Sequence, residues 1–340
     1  MSNNFNLAIF TQIKSESLNS QQQIIKKINE YSKSKTPFFL FVDFEMQKPV
    51  LYTLEELVEN KIYVSFPNYT QTADVDSNTS IDLNILESEI STYRPAYDWV
   101  RQHLQYGNSY LTNLTGKTKI ESSHSLTQIF AAAKSLYKIQ YKDEWVCFSP
   151  ECFIKIKNGE ISSFPMKGTI DASLPNAMQT LMEDQKEIAE HYTIVDLIRN
   201  DLSMVATNVK VENFRYIDYV KSNHRTLLQA SSVIVGQLPD GYHSHLGEIL
   251  FALLPAGSIS GAPKAKTIEI IQQAENEQRG FYTGVAFYFD GTSVDSCVLI
   301  RFVEQFNNEL YYRSGGGITV NSELAKEYQE LLDKIYVPIY

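Results

Sequence analysis

Runs of β-forming residues recur along this chain without the strict strand–helix alternation that a parallel sheet demands, and that feature decides the fold class. The runs are Phe38–Asp43, Val50–Tyr52, Tyr110–Leu114, Trp145–Phe148, Phe153–Ile156, Glu160–Phe164, Leu228–Leu238, Gly284–Phe289, Val294–Val303 and Glu309–Arg313. Helical spacing covers Gln21–Tyr31, Tyr93–Tyr106 (stopping at Gly107), about Leu181–Leu202, and a last helix from Ser322, an N-cap residue type, to before Pro338. In the third of these, Ile188, Tyr192, Val195, Ile198 and Leu202 form the expected buried stripe. Parallel strands need long crossovers, whereas strands following one another this closely pair antiparallel. The expectation is an α+β fold with largely antiparallel sheets. Thr70–Ser80 reads as a loop, and no Pro/Gly/Ser linker divides the chain, so residues 1–340 are expected to form a single domain.

Charge narrows the partners. The 30 Lys and Arg against 40 Asp and Glu leave a net charge of −10. Phosphate backbones and anionic membranes are repelled by most of such a surface, so no nucleic acid or membrane partner is expected. A small anionic substrate requires a local cluster of cations. No run approaches the roughly 20 apolar residues of a membrane span, and the first residues lack the basic and apolar regions of a secretory signal. Cys147, Cys152 and Cys297 contain no CxxC pair and sit among apolar neighbours. A reducing, cytoplasmic setting with buried thiols follows as the expectation.

Several patterns carry no chemistry. Asp76, Asn78, Ser80, Asp82, Asn84 and Glu87 match calcium-loop spacing, but Ile81 stands where the sharp turn needs Gly. The sequons at Asn68, Asn78 and Asn113 need a secretory route. His243, His245 and Glu248 read as a solvated turn before a helix.

Other residues do point to chemistry. Glu187 and Glu190 lie three residues apart on one helix, as do Glu327 and Glu330 on the last, with Lys334 continuing the stripe. On the last helix that stripe lies roughly 110° from the apolar face of Leu324, Tyr328, Leu331, Leu332 and Ile335, at its rim. Four such carboxylates suit Mg²⁺, which takes one or two protein carboxylates, water and substrate oxygens. Gly315, Gly316 and Gly317 read as a turn whose amides form an anion nest before the last helix. Gly257–Lys264 is a second small-residue turn. Lys167, after an apolar strand, is a candidate nucleophile or base. Glu151, between Cys147-Phe148 and Cys152-Phe153, is a carboxyl that desolvation would keep protonated as a general acid.

The order of these motifs is more specific than any one of them. Ser-Pro-Glu151, Pro-Met-Lys167-Gly-Thr169, Lys186-Glu187-x-x-Glu190-His191, Ile194-Val-Asp-Leu-Ile-Arg-Asn-Asp201, Gly257-Ser-Ile-Ser-Gly-Ala-Pro-Lys264, Tyr282-Thr-Gly284, Ile300-Arg301, Gly315-Gly-Gly-Ile318 and Glu327-Tyr-Gln-Glu330-x-x-x-Lys334 follow one another. That series resembles the chorismate-utilising enzymes: component I of anthranilate and aminodeoxychorismate synthases, and the isochorismate and salicylate synthases. The likeness covers residues 93–337, the catalytic region, while residues 1–80 resemble an abbreviated N-terminal part. It implies two facing antiparallel sheets flanked by helices, with the site in a cleft. Lys in Pro-x-Lys-Gly-Thr is similar to the aminodeoxychorismate synthase branch, which aminates chorismate at C4 for 4-aminobenzoate and folate synthesis.

The resemblance also implies roles. Glu190 and Glu330 would hold Mg²⁺ on the ring carboxylate, with Glu187 and Glu327 acting through its waters. Arg301, Tyr282, Ser258, Lys334 and the Gly315–Gly317 amides would hold carboxylates. Lys167 would attack C2, Glu151 would protonate the leaving hydroxyl, and Thr169 would order the ring. The chain departs from relatives at Gln229, where His is common, at Ile170-Asp171 and at Leu111. No cysteine sits on a glutaminase-type elbow, so ammonia is expected from a separate glutaminase subunit; the lyase completing 4-aminobenzoate and an allosteric tryptophan site are not expected in this chain. The alternatives are an isochorismate- or anthranilate-type synthase of the same family, or a non-catalytic chorismate-binding protein.

Overall fold

Phe38–Val42 carries apolar residues on both faces, and all five are buried. Phe38, Leu40 and Val42 join a core with Ile28, Ile194, Val195, Leu246 and Leu250 of the flanking helices. Phe39 and Phe41 face the other way, into an aromatic core with Tyr141, Trp145 and Phe302. A strand buried on both faces reads as a continuous apolar run, and here it separates a helix layer from a second sheet. This is a computed structural model, and it describes residues 20–77, 80–221 and 226–339. Residues 1–19 of the expected N-terminal part and the Asn78 sequon lie outside the described residues.

Across the first sheet the strands run Met166–Asp171, Thr226–Gln237, Glu160–Ser163, Cys152–Lys157, Val294–Val298, Val285–Phe289, Phe38–Val42 and Val50–Thr53, with Thr207–Lys221 also pairing Thr226–Gln237. Across the second they run Gly261–Ala262, Leu111–Glu121, Glu309–Ile318, Phe302–Phe306, Trp145–Ser149, Tyr137–Tyr141, Ile62–Phe66 and Tyr69–Gln71, with Asn84–Glu87 against Leu111–Glu121. The pairings are antiparallel, as the spacing of the β-runs requires. Between the sheets Trp145 stacks on Tyr141 at 5.3 Å and on Phe302 at 5.0 Å. All three cysteines are buried and free. No described helix is long and apolar enough to cross a membrane.

Several expectations change. The Val294–Val303 run is two strands in different sheets, Val294–Val298 and Phe302–Phe306, because Arg301 adopts φ 55° and turns the chain between them. The Leu181–Leu202 helix is two, Ala177–Glu183 and Gln185–Ser203, broken at Asp184, whose carboxylate accepts from Glu187 N–H at 3.0 Å and caps the second. Tyr192 of the expected stripe is 58% exposed, and His191 and Ile194 are buried in its place. Glycines 315–317 are not a turn; they continue the Glu309–Ile318 strand opposite Asn113–Thr115. A Cβ on Gly315 would lie 2.7 Å from Leu114 O, so only glycine permits that approach. Ser322 is not the cap of the last helix, which spans Leu324–Asp333; its hydroxyl accepts from Thr319 N–H. Thr70–Ser80 opens with two residues of strand before it becomes a loop.

One buried ion pair ties the sheets to the loops between them. The Arg279 guanidinium donates to both carboxylate oxygens of Glu275, at 2.7 and 2.6 Å, with side chains 1% and 4% exposed. It also donates to Ile259 O at 3.0 Å and Asn113 O at 2.7 Å, and stacks on the Phe44 ring. Glu275 in turn accepts from the Thr115 amide and hydroxyl. Removing one member of a buried pair strands the other charge. Arg279→Met is therefore expected to cost about 3–5 kcal/mol in urea unfolding, far more than a surface Arg substitution such as Arg199→Met.

Candidate active site

Of the links that carry the chain from one sheet to the other, two carry a candidate residue. Trp145–Ser149 belongs to the second sheet and Cys152–Lys157 to the first, with Glu151 in the link; Arg301 sits in the other link. A cleft of about 200 Å³ opens beside these links. Glu151, Lys167, Ser258, Tyr282, Arg301, Gly315, Gly316, Gly317, Glu330 and Lys334 line it, so ten of the sequence candidates meet in one place.

The floor is the glycine strand. Phe302 is the last residue of the neighbouring strand to pair with it, opposite Arg313. Among the described residues, Ser314–Ile318 therefore has a strand neighbour on one side only. The absence of side chains leaves room on both faces of this strand, since successive residues point to opposite sides. Lys167 Nζ lies 3.5 Å from where a Gly317 Cβ would stand, and Glu330 Oε1 and Lys334 Nζ lie 3.4 and 3.7 Å from that of Gly316.

Charge is organised in pairs. Lys167 Nζ donates to Glu190 Oε2 at 3.0 Å. Burial alone would lower the Lys167 pKa, but Glu190, Glu187 and Glu330 together hold it above its ordinary value, so it rests as an ammonium. Lys334 Nζ donates to Glu330 Oε1 at 2.6 Å and to Gly315 O at 2.7 Å. Burial raises the pKa of Glu151, opposed by the Ser258 hydroxyl, which donates at 2.5 Å, and by Lys167, Arg301 and Lys334. Glu327, expected at the rim, is buried at 7% exposure.

The four glutamates supply hard oxygen donors, the chemistry Mg²⁺ takes, and two of them already hold ammonium groups as counter-cations. No three acidic, His or Cys side chains among the described residues stand close enough to hold a metal ion as they are placed. Thr169 and Gln229 lie opposite each other in the Met166–Asp171 and Thr226–Gln237 pairing, 3.5 Å apart, and neither lines the cleft.

Three contributors escaped the sequence reading. Asn113, Arg313 and Asp201 all line the cleft. Asp201, whose carboxyl burial raises, holds Lys264 at 2.7 Å and so ties the Gln185–Ser203 helix to the Gly257–Lys264 turn. Both residues stand inside quoted motifs, and acid and base at the ends of two such motifs were the available signal. Arg313, bound to Glu277 and Glu304, had no signal.

A family model described as chorismate binding enzyme matches residues 24–339. The chain is 47% identical over 322 residues to an uncharacterized PabA-like protein of Haemophilus influenzae, covering 94% of this chain and 98% of that one. It is 35% identical over 195 residues to anthranilate synthase component 1 of Aquifex aeolicus, covering 55% and 38% of the two chains. It is 30% identical over 295 residues to aminodeoxychorismate synthase component 1 of Escherichia coli, covering 82% and 61%. The menaquinone-specific isochorismate synthase of Escherichia coli has the same fold, with TM-score 0.68 at 16% identity, over 94% of this chain and 81% of that one.

His191, next to Glu190, gives the region a pH dependence. It is fully buried, and its Nε2 shares a 2.6 Å hydrogen bond with Ser232 Oγ. Burial first, then the charges of Arg215 and Lys167, push its pKa down to about 4. An unfolded His titrates near 6.5, so the neutral ring costs nothing above that pH. As pH falls from about 6.5 towards 4, the unfolded chain takes the proton first and stability is lost. Between pH 7.5 and 5 the native chain is expected to lose roughly 2 kcal/mol that His191→Asn does not, measured by urea unfolding at the two pH values.

Proposed function

The chain belongs to the chorismate-binding enzymes, a family acting on chorismate, and on that footing we propose that it aminates chorismate at C4, using ammonia from a separate glutaminase subunit. Lys167 carries this reading: an amine in the cleft, against the glycine floor and in the same lining as a carboxyl whose pKa burial raises, is what a substitution through a covalent lysine adduct requires. The dianionic substrate would be held by Arg301, Lys334, Tyr282, Ser258 and the Gly315–Gly317 backbone, which supply the local positive potential that a net charge of −10 otherwise denies it.

Lys167 first loses its proton, with Glu190 at 3.0 Å as the base within reach. Its amine then bonds to C2, both conjugated ring double bonds shift, and the C4 hydroxyl leaves as water with the proton of Glu151. Ammonia bonds to C4, both double bonds shift back, the Lys167 amine is expelled, and the new ammonium group returns a proton to Glu151. The balance is chorismate and ammonia in, aminodeoxychorismate and water out. Ser258 keeps the Glu151 proton directed into the cleft. Glu190 and Glu330, assisted by Glu187 and Glu327, would hold Mg²⁺, which neutralises the ring carboxylate. Thr169, 3.5 Å from Gln229, would order the ring, although these two, like Glu190, are not among the residues that line the cleft.

A mass-resolved product assay with chorismate, Mg²⁺ and ammonium salt, with and without aminodeoxychorismate lyase, tests the reading. The expected product becomes 4-aminobenzoate only with the lyase, and EDTA abolishes it. Isochorismate, salicylate or anthranilate would overturn the role given to Lys167, and no turnover with a glutaminase present would favour a binding protein. Lys167→Ala is expected to lower the rate about 100-fold or more. Because its neighbours hold the Lys167 pKa up, the rate should rise with pH on the alkaline side.

A further inference from the structure

Asn113 lies in the middle of the cleft wall, and nothing assigns it a role. Its backbone is fixed on both sides: its N–H donates to Ser260 O at 2.8 Å, and its carbonyl accepts from Arg279 Nη2 at 2.7 Å. It pairs in register with Gly317, the floor residue nearest Lys167 Nζ. Its side-chain Oδ1 is buried and has no hydrogen-bond partner among the described residues. A buried acceptor without a donor costs free energy until something supplies one. A site built around such an atom rejects ligands that cannot fill it far more strongly than an apolar wall rejects an added group.

We infer that Asn113 is a specificity-determining residue whose Oδ1 accepts a hydrogen bond from the ring hydroxyl of the bound substrate. The ligand's identity rests on the reading above; the need for a donor does not. Carboxylates and the enol ether of a chorismate-type ligand offer no donor at neutral pH, so the ring hydroxyl is the group that can fill this position. A ligand lacking the hydroxyl leaves the acceptor without that donor.

Binding measured by calorimetry without ammonia tests this, using chorismate and an analogue carrying hydrogen in place of the ring hydroxyl. The native chain is expected to prefer chorismate by about tenfold or more. Asn113→Leu should remove that preference by weakening chorismate and sparing the analogue, while Asn113→Asp, which keeps an acceptor, should retain it. Equal weakening of both ligands in Asn113→Leu, or an unchanged preference, would overturn the assignment. So would a change confined to the Michaelis constant for ammonium, which would make the incoming amine the donor. If Asn113→Leu does not fold, Asn113→Asp decides alone: loss of the preference there overturns the assignment. The amination reading can fail separately, since lost discrimination with no aminated product would leave the Asn113 assignment standing.

Discussion

The Arg279–Glu275 pair is the interaction on which the site depends. One guanidinium makes contact with a helix carboxylate, with Ile259 beside Ser258, and with Asn113 in the strand that pairs with the glycine floor. Its own chain continues within three residues to Tyr282 and then into the Val285–Phe289 strand of the other sheet. Five planar donors in a rigid fork can hold several backbone segments in fixed relation, which a lysine cannot do. The surrounding burial makes each of these bonds strong and makes their loss costly. Segments distant in sequence thereby present their side chains to one small space.

The second organising theme is that three of the cleft's cations are held by internal carboxylates. Lys167 rests on Glu190 and Lys334 on Glu330, while Arg313 is held by Glu277 and Glu304. An acidic protein thus presents cationic groups to an anion without carrying bare buried charge. Glu151 stands apart from this scheme. Its burial raises the pKa of its carboxyl, and the Ser258 hydroxyl donates to it at 2.5 Å.

Much of this was legible in the sequence, for physical reasons that differ by element. Phe38–Val42, Trp145–Ser149 and Val285–Phe289 are short apolar runs that only a buried strand accommodates, and the sequence locates them within a residue or two. Thr207–Lys221 was missed because it is polar and interrupted by register shifts and by positive φ at Asn208 and Arg215, which spoil the period of two. The glycines were misread because poor intrinsic strand formers are held in a strand by their partner, Leu111–Glu121. The break at Arg301 is invisible because the β-forming run continues through it. Among site residues, those in motifs with a chemical rationale were found, whereas Arg279 and Arg313 were not, since nothing in their local sequence distinguishes a buried arginine from a solvated one. The placement of Thr169 and Gln229 away from the cleft is likewise set by strand pairing, which local sequence does not encode.

Glu151 and Arg301 each occupy a point where the backbone leaves one sheet and enters the other. These links are covalent tethers, so any slippage of one sheet across the other acts directly on the spacing of Glu151 and Arg301. The active centre is in this sense the seam of the molecule, and tolerance to substitution should fall with proximity to the two tethers as much as with proximity to the ligand.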